Sequence, residues 1–344
     1  MKDNKVVNKG GRILELDLLR GAAIILMITG HSILVHPIDF TGIPWCHNLH
    51  NWIYSFHMEL FFLVSGCVYH CSKYRPYILN KMDRLVVPMV FMGIISIFFH
   101  SVGSDVVHKH TTMTDGLIGI LNGKSYWFLY TLFLIFAIYP LIEKIGTKNK
   151  WIEPSLMILL ITISQFVNYP TVFRISSMMY HLPYFMMGHL LSDGIKSNRY
   201  KLSFRGQMLA VVVALGIYFA LLLGDRAISV VRYGQAFAMI AAFYYAAQMF
   251  VCWYNSGRKI ATMINELLCL ASKYSLQLYL FNGFVLVVVR TILVSKLHLT
   301  NPTFVIPLIV LANLVVTLSL CKYILEETRW IGWLCGVKYR PWKK

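Results

Sequence analysis

An arginine and a histidine stand at the two ends of one apolar stretch, RGAAIILMITGH, which runs from Arg20 to His31. Eleven residues make about three turns of an α-helix, so the two side chains project from nearly the same face, about 16 Å apart along the axis. Polar groups inside a membrane are costly unless they face protein or water. The spacing therefore predicts that Arg20 and His31 line one channel.

A second pair of polar residues lies in SFHMELFFLVSG, which places His57 and Glu59 at about the depth of His31. A carboxylate in the hydrocarbon layer indicates a functional site, and a His and a Glu at one depth suit a general base with carboxylate help. The alternatives are structural, since Glu59 could form a hydrogen bond between helices and His31 could be a satisfied core histidine.

Basic residues collect at the opposite end of the first span, where the loop NKMDRLVVP adds Lys81 and Arg84 to Arg20. Topology alone also predicts cations there. Asp17 is one turn from Arg20 and is placed to hold its guanidinium. Cations bind polyphosphate, so a donor with phosphates at one end and a thioester on a long arm, such as coenzyme A, fits both layers. The predicted reaction is acyl transfer, in which His31 takes the proton of an acceptor hydroxyl.

The elements that must position these groups are membrane-spanning helices. Of the 344 residues, 57% are hydrophobic and only 14% are charged, which excludes a soluble domain. The net charge of +17 does not indicate a nucleic-acid partner, because the basic residues form short clusters between apolar runs. The apolar runs predict about ten transmembrane helices, at residues 18–35, 52–70, 85–101, 126–142, 154–169, 176–192, 207–223, 233–252, 274–294 and 303–324.

The predicted fold class is therefore all-α and polytopic, with a single membrane domain over residues 1–344 and no appended soluble domain. An even number of spans puts both termini on one side, and the positive-inside rule makes that side the cytoplasm. No small-residue cleavage site follows the first apolar run, which we interpret as a retained span. The basic residues assigned to the outside are Lys109, Lys124, Arg174, Arg226, Arg232, Arg290 and Lys296.

Several further residues have both a structural and a functional interpretation. Tyr126 and Trp127 begin the fourth span, where aromatic anchors are expected, or they stack on a sugar ring. His181 is a supporting candidate in the sixth span, and Asn282 is expected to hydrogen-bond between helices. The seven cysteines form no C-x-x-C pair, so we predict neither a disulfide framework nor a metal site.

The segments that carry this chemistry resemble a known family. LELDLLRGAAIILMITGHS resembles the first helix of the acyltransferase-3 family of bacterial membrane O-acyltransferases, whose hallmark is an Arg and a His separated by ten residues. FHMELFFLVSGCVY resembles the second-helix signature, and KMDRLVVP resembles the basic pair, with Lys81 where Arg often stands. YWFLYTLFLIFAIYPLI and YHLPYFMMGHLL resemble the fucose 4-O-acetylase-like, polysaccharide-modifying branch.

This resemblance implies a multi-pass protein of the bacterial cytoplasmic membrane that moves acetyl from acetyl-CoA to a sugar of a cell-surface glycan or a lipid-linked saccharide. It implies a catalytic role for His31 and coenzyme A-binding roles for Arg20 and Arg84, with Lys81 as the variable member. Two residues depart from the family pattern and would alter the acceptor pocket: Glu59 stands where the branch often has Pro, and Asn282 where many members have His.

A transporter or flippase for a polar or anionic glycan-related substrate is the main alternative, because buried His, Glu and Arg also mark translocation paths. The layering of cations and histidines favours an enzyme, since the sequence lacks the repeated halves of many transporters. A membrane scaffold without catalysis would leave the cost of burying Glu59 and His31 unexplained.

Overall fold

The computed structural model describes residues 7–8, 12–34, 39–102, 113–167, 169–225 and 227–337. Two strands of two residues each, β1 (Val7–Asn8) and β2 (Arg12–Ile13), pair antiparallel before the first helix. Lys109, Arg226, the last residue of the first predicted span and residues 103–112 lie outside the described residues.

The other regular elements of the described chain are helices, as predicted. Its α-helices are, in chain order, α1 (Leu14–Leu34), α2 (Pro44–Tyr54), α3 (His57–Cys67), α4 (Tyr74–Lys81), α5 (Val87–Val102), α6 (Met113–Leu121), α7 (Trp127–Gly146), α8 (Ile152–Ile163), α9 (Ile175–Lys196), α10 (Phe204–Leu222), α11 (Ser229–Tyr254), α12 (Lys259–Lys273), α13 (Ser275–Arg290), α14 (Pro302–Leu320) and α15 (Arg329–Leu334). Short 3₁₀ and π-helical turns adjoin them at Phe40–Gly42, Met82–Val86, Val172–Arg174, Thr291–Lys296 and Cys321–Leu325.

Seven helical stretches of the described chain are long and apolar enough to cross a membrane, and they coincide with seven of the ten predicted spans. They are Leu14–Leu34, Tyr74–Phe99, Trp127–Gly146, Phe204–Leu222, Ser229–Tyr254, Ser275–Lys296 and Pro302–Leu325. The predicted spans at 52–70, 154–169 and 176–192 correspond to a broken helix, to the 12-residue α8 and to the more polar α9. The count of ten spans and the cytoplasmic termini stay predictions.

The second predicted span is broken at Ser55 and Phe56, between α2 and α3. Ser55 Oγ donates to the carbonyl of Trp52 at 2.7 Å, and His57 Nδ1 donates to the carbonyl of Ile53 at 2.7 Å. The same two carbonyls also accept the backbone N–H groups of Ser55 and Phe56, so each side chain adds a second hydrogen bond at the end of α2. The break also fixes the ring of His57 against the end of α2.

The segment NKMDRLVVP, expected as a loop, is helical, because α4 continues through the π-helical turn Met82–Val86 into α5. The turn lies just before Pro88, which has no N–H to donate to the carbonyl of Arg84 four residues earlier. A π-helical turn is a common way to accommodate such a gap, and such turns are frequent at functional sites. Lys81 and Arg84 are therefore carried on a helix.

Helix α1 lies at the centre of the described bundle, where it packs against α3, α11, α12, α13 and α14. Most of its apolar residues are buried, as shown by Ala23 (0% exposed) and Ile28 (0% exposed). Helices α3 and α9 form another close pair. Gly66 and Gly188 face each other's helix there, and a Cβ on Gly188 would collide with the carbonyl oxygen of Leu63.

We expect Gly188→Ala to destabilise the protein by about 1–3 kcal/mol, because an added methyl forces α3 and α9 apart. Thermal unfolding of the purified protein in detergent measures this effect. Gly216→Ala is the matched control, since a Cβ at Gly216 on α10 meets nothing within 4 Å and gains helix propensity. An equal loss of stability in both variants would contradict the packing argument.

Candidate active site

Four side chains on one face of α1 line two neighbouring cavities. Arg20 and Ile24 line a cavity of about 150 Å³, the inner cavity, which lies toward the start of α1. Met27 and His31 line a cavity of about 450 Å³, the outer cavity, which lies toward its end. Spacings of four, three and four residues keep these side chains on one stripe of the helix. The single channel expected from the sequence is thus divided into two cavities stacked along α1.

Helix α13 provides the opposite wall in the same axial order. Ser275 and Leu276 line the inner cavity, and Gly283 and Leu286 line the outer one. Tyr279, which lies between these two pairs, lines both cavities. On both α1 and α13, the residues that line the inner cavity therefore come earlier in the helix than those that line the outer cavity.

The start of α7 contributes aromatic residues to the walls of both cavities. Tyr126 and Trp127 line the outer cavity, whereas Phe128 lines the inner one. The ring of Tyr279 contacts those of Phe128 and Tyr126, with centroids 5.5 Å and 5.9 Å apart. The hydroxyl of Tyr126 donates a hydrogen bond to the backbone carbonyl of Leu280 at 3.3 Å. Aromatic side chains therefore occupy the junction of the two cavities.

Positive charge collects beside the inner cavity. The ammonium of Lys81 lies 3.6 Å from the centroid of the Phe136 ring, within reach of a cation–π interaction. Arg84 is exposed on the π-helical turn, and the next residue, Leu85, lines the cavity itself. Lys81 is close enough to Arg84 and Arg20 for their charges to repel its own. Like charges held together in this way attract an anion.

The first turns of α1 are fixed against α12. Asp17 is buried and accepts a hydrogen bond from Ser272 Oγ at 3.1 Å. A Cβ at Gly21 would collide with the carbonyl oxygen of Leu268, so the two helices approach closely beside Arg20. These contacts hold the backbone that carries Arg20, and the predicted pairing of Asp17 with Arg20 stays a prediction.

His31 is half-buried and is accompanied by a phenol hydroxyl. Its Nδ1 lies 3.4 Å from Tyr54 Oη, and a Cβ at Gly30 would come within 2.8 Å of the Tyr54 ring. On α2 the ring of His50 packs on that of Tyr54 with centroids 4.0 Å apart, and burial lowers the pKa of His50 below its usual value. The hydrogen-bonding partner found beside His31 is thus Tyr54, where the sequence predicted a carboxylate.

His57 and Glu59 point in different directions, because two residues on an α-helix are about 200° apart. The ring of His57 contacts that of Tyr54, with centroids 4.9 Å apart, on the side of His31. Glu59 is 7% exposed, and its Oε2 is buried without a hydrogen-bond partner. The charged and titratable groups that interact with Glu59 include Arg232 and Tyr180, and Glu59 lines neither of the two cavities. The structure therefore brings His57, but not Glu59, to the surroundings of His31.

Asn282 and His181 both have direct structural contacts. Asn282 lines the outer cavity and accepts a hydrogen bond from Asn313 Nδ2 of α14 at 2.8 Å. His181 Nδ1 donates to the carbonyl of Ser177 at 2.7 Å, and its ring lies 5.4 Å from that of Trp127. His181 therefore supports the cavity wall from behind, through Trp127. Across the described ranges, no group of three His, Cys, Asp or Glu side chains is arranged to hold a metal ion.

Two residues of this site, Tyr54 and Tyr279, were missed by the sequence reasoning. Each lies three residues before a polar residue that was singled out, His57 or Asn282. That spacing is a usable signal for Tyr279, because one turn of α13 separates it from Asn282. It gives no guidance for Tyr54, because the break after α2 changes its direction relative to His57.

We expect Tyr54→Phe to slow the acyl transfer predicted from the sequence by about tenfold, the cost of one lost hydrogen bond of about 1.4 kcal/mol. Phenylalanine keeps the ring contacts and removes only the hydroxyl beside His31 Nδ1. The measurement is the rate of transfer as a function of pH. A change in the environment of the imidazole shifts this pH–rate profile along the pH axis and also lowers its maximum. Tyr323→Phe, at a residue that is 59% exposed, is the control. Identical profiles for wild type and Tyr54→Phe would show that the hydroxyl has no effect on His31.

Comparison with known protein families matches residues 13–322 to the acyltransferase-3 family model, described as an acyltransferase domain. The chain is 27% identical over 202 residues to the nodulation protein NolL of Sinorhizobium fredii, a match covering 54% of this chain and 50% of that protein. It is 25% identical over 147 residues to NolL of Mesorhizobium japonicum, covering 41% and 39%. The chain thus spans at most about half the length of these relatives. No solved structure matches.

Proposed function

Because the chain belongs to the acyltransferase-3 family, we propose that it transfers an acyl group, namely acetyl, from cytoplasmic acyl-CoA to a hydroxyl of a cell-surface glycan or lipid-linked sugar. The observation that carries this proposal is the stacking of two cavities along one face of α1, with Arg20 in one and His31 in the other. The protein would act in the bacterial cytoplasmic membrane, where both substrates meet.

The donor would enter at the inner cavity. Its phosphates would bind Arg20 at the cavity wall and Arg84 and Lys81 beside it, because guanidinium and ammonium groups form charge-assisted hydrogen bonds to phosphate oxygens. A volume of about 150 Å³ accommodates only part of the extended arm. The nucleotide would therefore remain at the exposed mouth, near Arg84, while the thioester points along α1 toward His31.

The acceptor would occupy the outer cavity, which is three times larger in volume, about 450 Å³ against about 150 Å³. Tyr126 and Trp127 in its wall suit the apolar faces of a sugar ring. The amide oxygen of Asn282 accepts a hydrogen bond from Asn313, and the side-chain amide can form further hydrogen bonds to sugar hydroxyls.

His31 would act as the general base. A neutral imidazole that donates its Nδ1 proton to Tyr54 Oη keeps a lone pair on Nε2. That nitrogen takes the proton of the acceptor hydroxyl while the hydroxyl oxygen bonds to the thioester carbonyl carbon. The tetrahedral intermediate then collapses, the carbon–sulfur bond breaks, and the thiolate of coenzyme A leaves and recovers the proton from His31.

Incubation of host membranes with radiolabelled acetyl-CoA tests the proposal. We expect label in a glycan or glycolipid fraction, in a form released by mild alkali as an ester is, and no such label in matched membranes that lack the protein. Equal labelling of the two membranes would contradict acyl transfer. Movement of an unmodified saccharide across the bilayer by the purified protein in vesicles would instead support the transport alternative.

A further inference from the structure

One residue is shared by the walls of both cavities. Tyr279 is present in the walls of both, while the other wall residues of α13 belong to only one. The same division occurs on α1, where Ile24 lines the inner cavity and Met27, about one turn later, lines the outer one. Any chain that extends from Arg20 to His31 along this stripe has to pass the ring of Tyr279.

The Tyr279 ring is held in place on several sides. Phe128 and Tyr126 contact it from α7, at centroid distances of 5.5 Å and 5.9 Å. Its neighbours in sequence, Leu278 and Leu280, are 0% and 1% exposed, so the backbone of α13 is anchored in the core at this level. The contacts from α7 and the buried backbone of α13 therefore restrict how far the ring can move between the two cavities.

We propose that Tyr279 is a specificity-determining residue, whose ring sets the cross-section of the acyl group that passes from the inner to the outer cavity. The inference rests on the proposed function, and it adds what that function leaves open, the class of acyl group. Acetyl is no wider than the unbranched β-alanine–cysteamine end of the arm, which is the part next to the thioester. An acyl group branched next to the carbonyl, such as isobutyryl, is wider than this end of the arm and meets the ring.

Substitutions of Tyr279 separate this role from donor anchoring. Tyr279→Trp enlarges the ring at the junction, and we expect acetyl transfer to fall at least about tenfold, a typical effect of a steric mismatch of this size. Binding of adenosine 3′,5′-bisphosphate, which resembles the phosphate-bearing end of coenzyme A and lacks the arm, should change less than about twofold. Val288→Trp is the matched control, because Val288 is on the same helix and is 47% exposed.

Removal of the ring should have the opposite effect on selectivity. We expect Tyr279→Ala to raise the rate with isobutyryl-CoA relative to acetyl-CoA by about tenfold over wild type. Tyr279→Phe keeps the ring and should leave this ratio within about twofold. The ratio is measured within one preparation, so it stays informative even where a variant folds in low yield.

The outcomes distinguish this inference from the function beneath it. A wild-type protein that transfers nothing from acetyl-CoA would refute the proposed function. An active wild type whose Tyr279→Ala variant shows an unchanged ratio would refute the role of Tyr279 alone. Loss of adenosine 3′,5′-bisphosphate binding in Tyr279→Trp would also refute it, since the effect would then arise at the donor mouth.

Discussion

A protein in which His31 is replaced by glutamine is expected to transfer acetyl groups at least about a hundredfold more slowly than wild type, the lower end of what general-base catalysis contributes. Glutamine approximates the length of the imidazole and places an amide near the position of Nε2, but it cannot accept a proton near neutral pH. The loss should therefore appear in kcat, with little change in the affinity for either substrate.

His47→Gln is the matched control for this experiment, because His47 is exposed on α2 and the same chemical change occurs there away from both cavities. Thermal unfolding of each variant separates loss of activity from loss of fold. Activity of His31→Gln within a fewfold of wild type, in a protein of normal stability, would mean that another group removes the proton of the acceptor.

The second large effect is expected at Arg20. We expect Arg20→Gln to raise the KM for acetyl-CoA by about ten- to a hundredfold, since a charge-assisted hydrogen bond to phosphate contributes about 1.5–3 kcal/mol. Arg20→Lys should recover part of this loss, because lysine keeps the charge but not the bidentate geometry. The same order should appear in direct binding of coenzyme A to the purified protein.

Arg205→Gln removes an equal charge from an exposed position on α10 that lines neither cavity, and its KM should stay near the wild-type value. This control separates local binding from the general effect of the positive charge of the protein. Equal coenzyme A affinities for wild type and Arg20→Gln would place the phosphate site elsewhere.

The stripe of α1 could be predicted because it depends only on local geometry. An uninterrupted apolar helix fixes the directions of Arg20, Ile24, Met27 and His31 by their spacing alone, and the structure places all four in cavity walls. The seven apolar stretches could be predicted for the same reason, since length and composition decide them.

Features decided by side chains could not be predicted in this way. The break between α2 and α3 lies in SFHMEL, which contains neither Gly nor Pro, and it is accompanied by hydrogen bonds from Ser55 and His57 to carbonyls of the preceding helix. Glu59 was grouped with His31 because both residues lie at about the same depth. Depth alone does not give the direction in which each side chain points. Tyr54 and Tyr279 become part of the site only through contacts between helices.

Helix α1 carries both Arg20 and His31 without interruption, and it is packed on several sides by other helices. The hydrogen-bonded backbone of this uninterrupted helix keeps its length. The axial distance between Arg20 and His31 therefore stays the same when neighbouring helices move. On the facing wall, the contacts of Tyr279 with Phe128 and Tyr126 hold α13 against α7 at the level between the two cavities. The reach required of the donor is therefore set by the length of one helix, so a donor with a shorter arm should bind without bringing its thioester to His31.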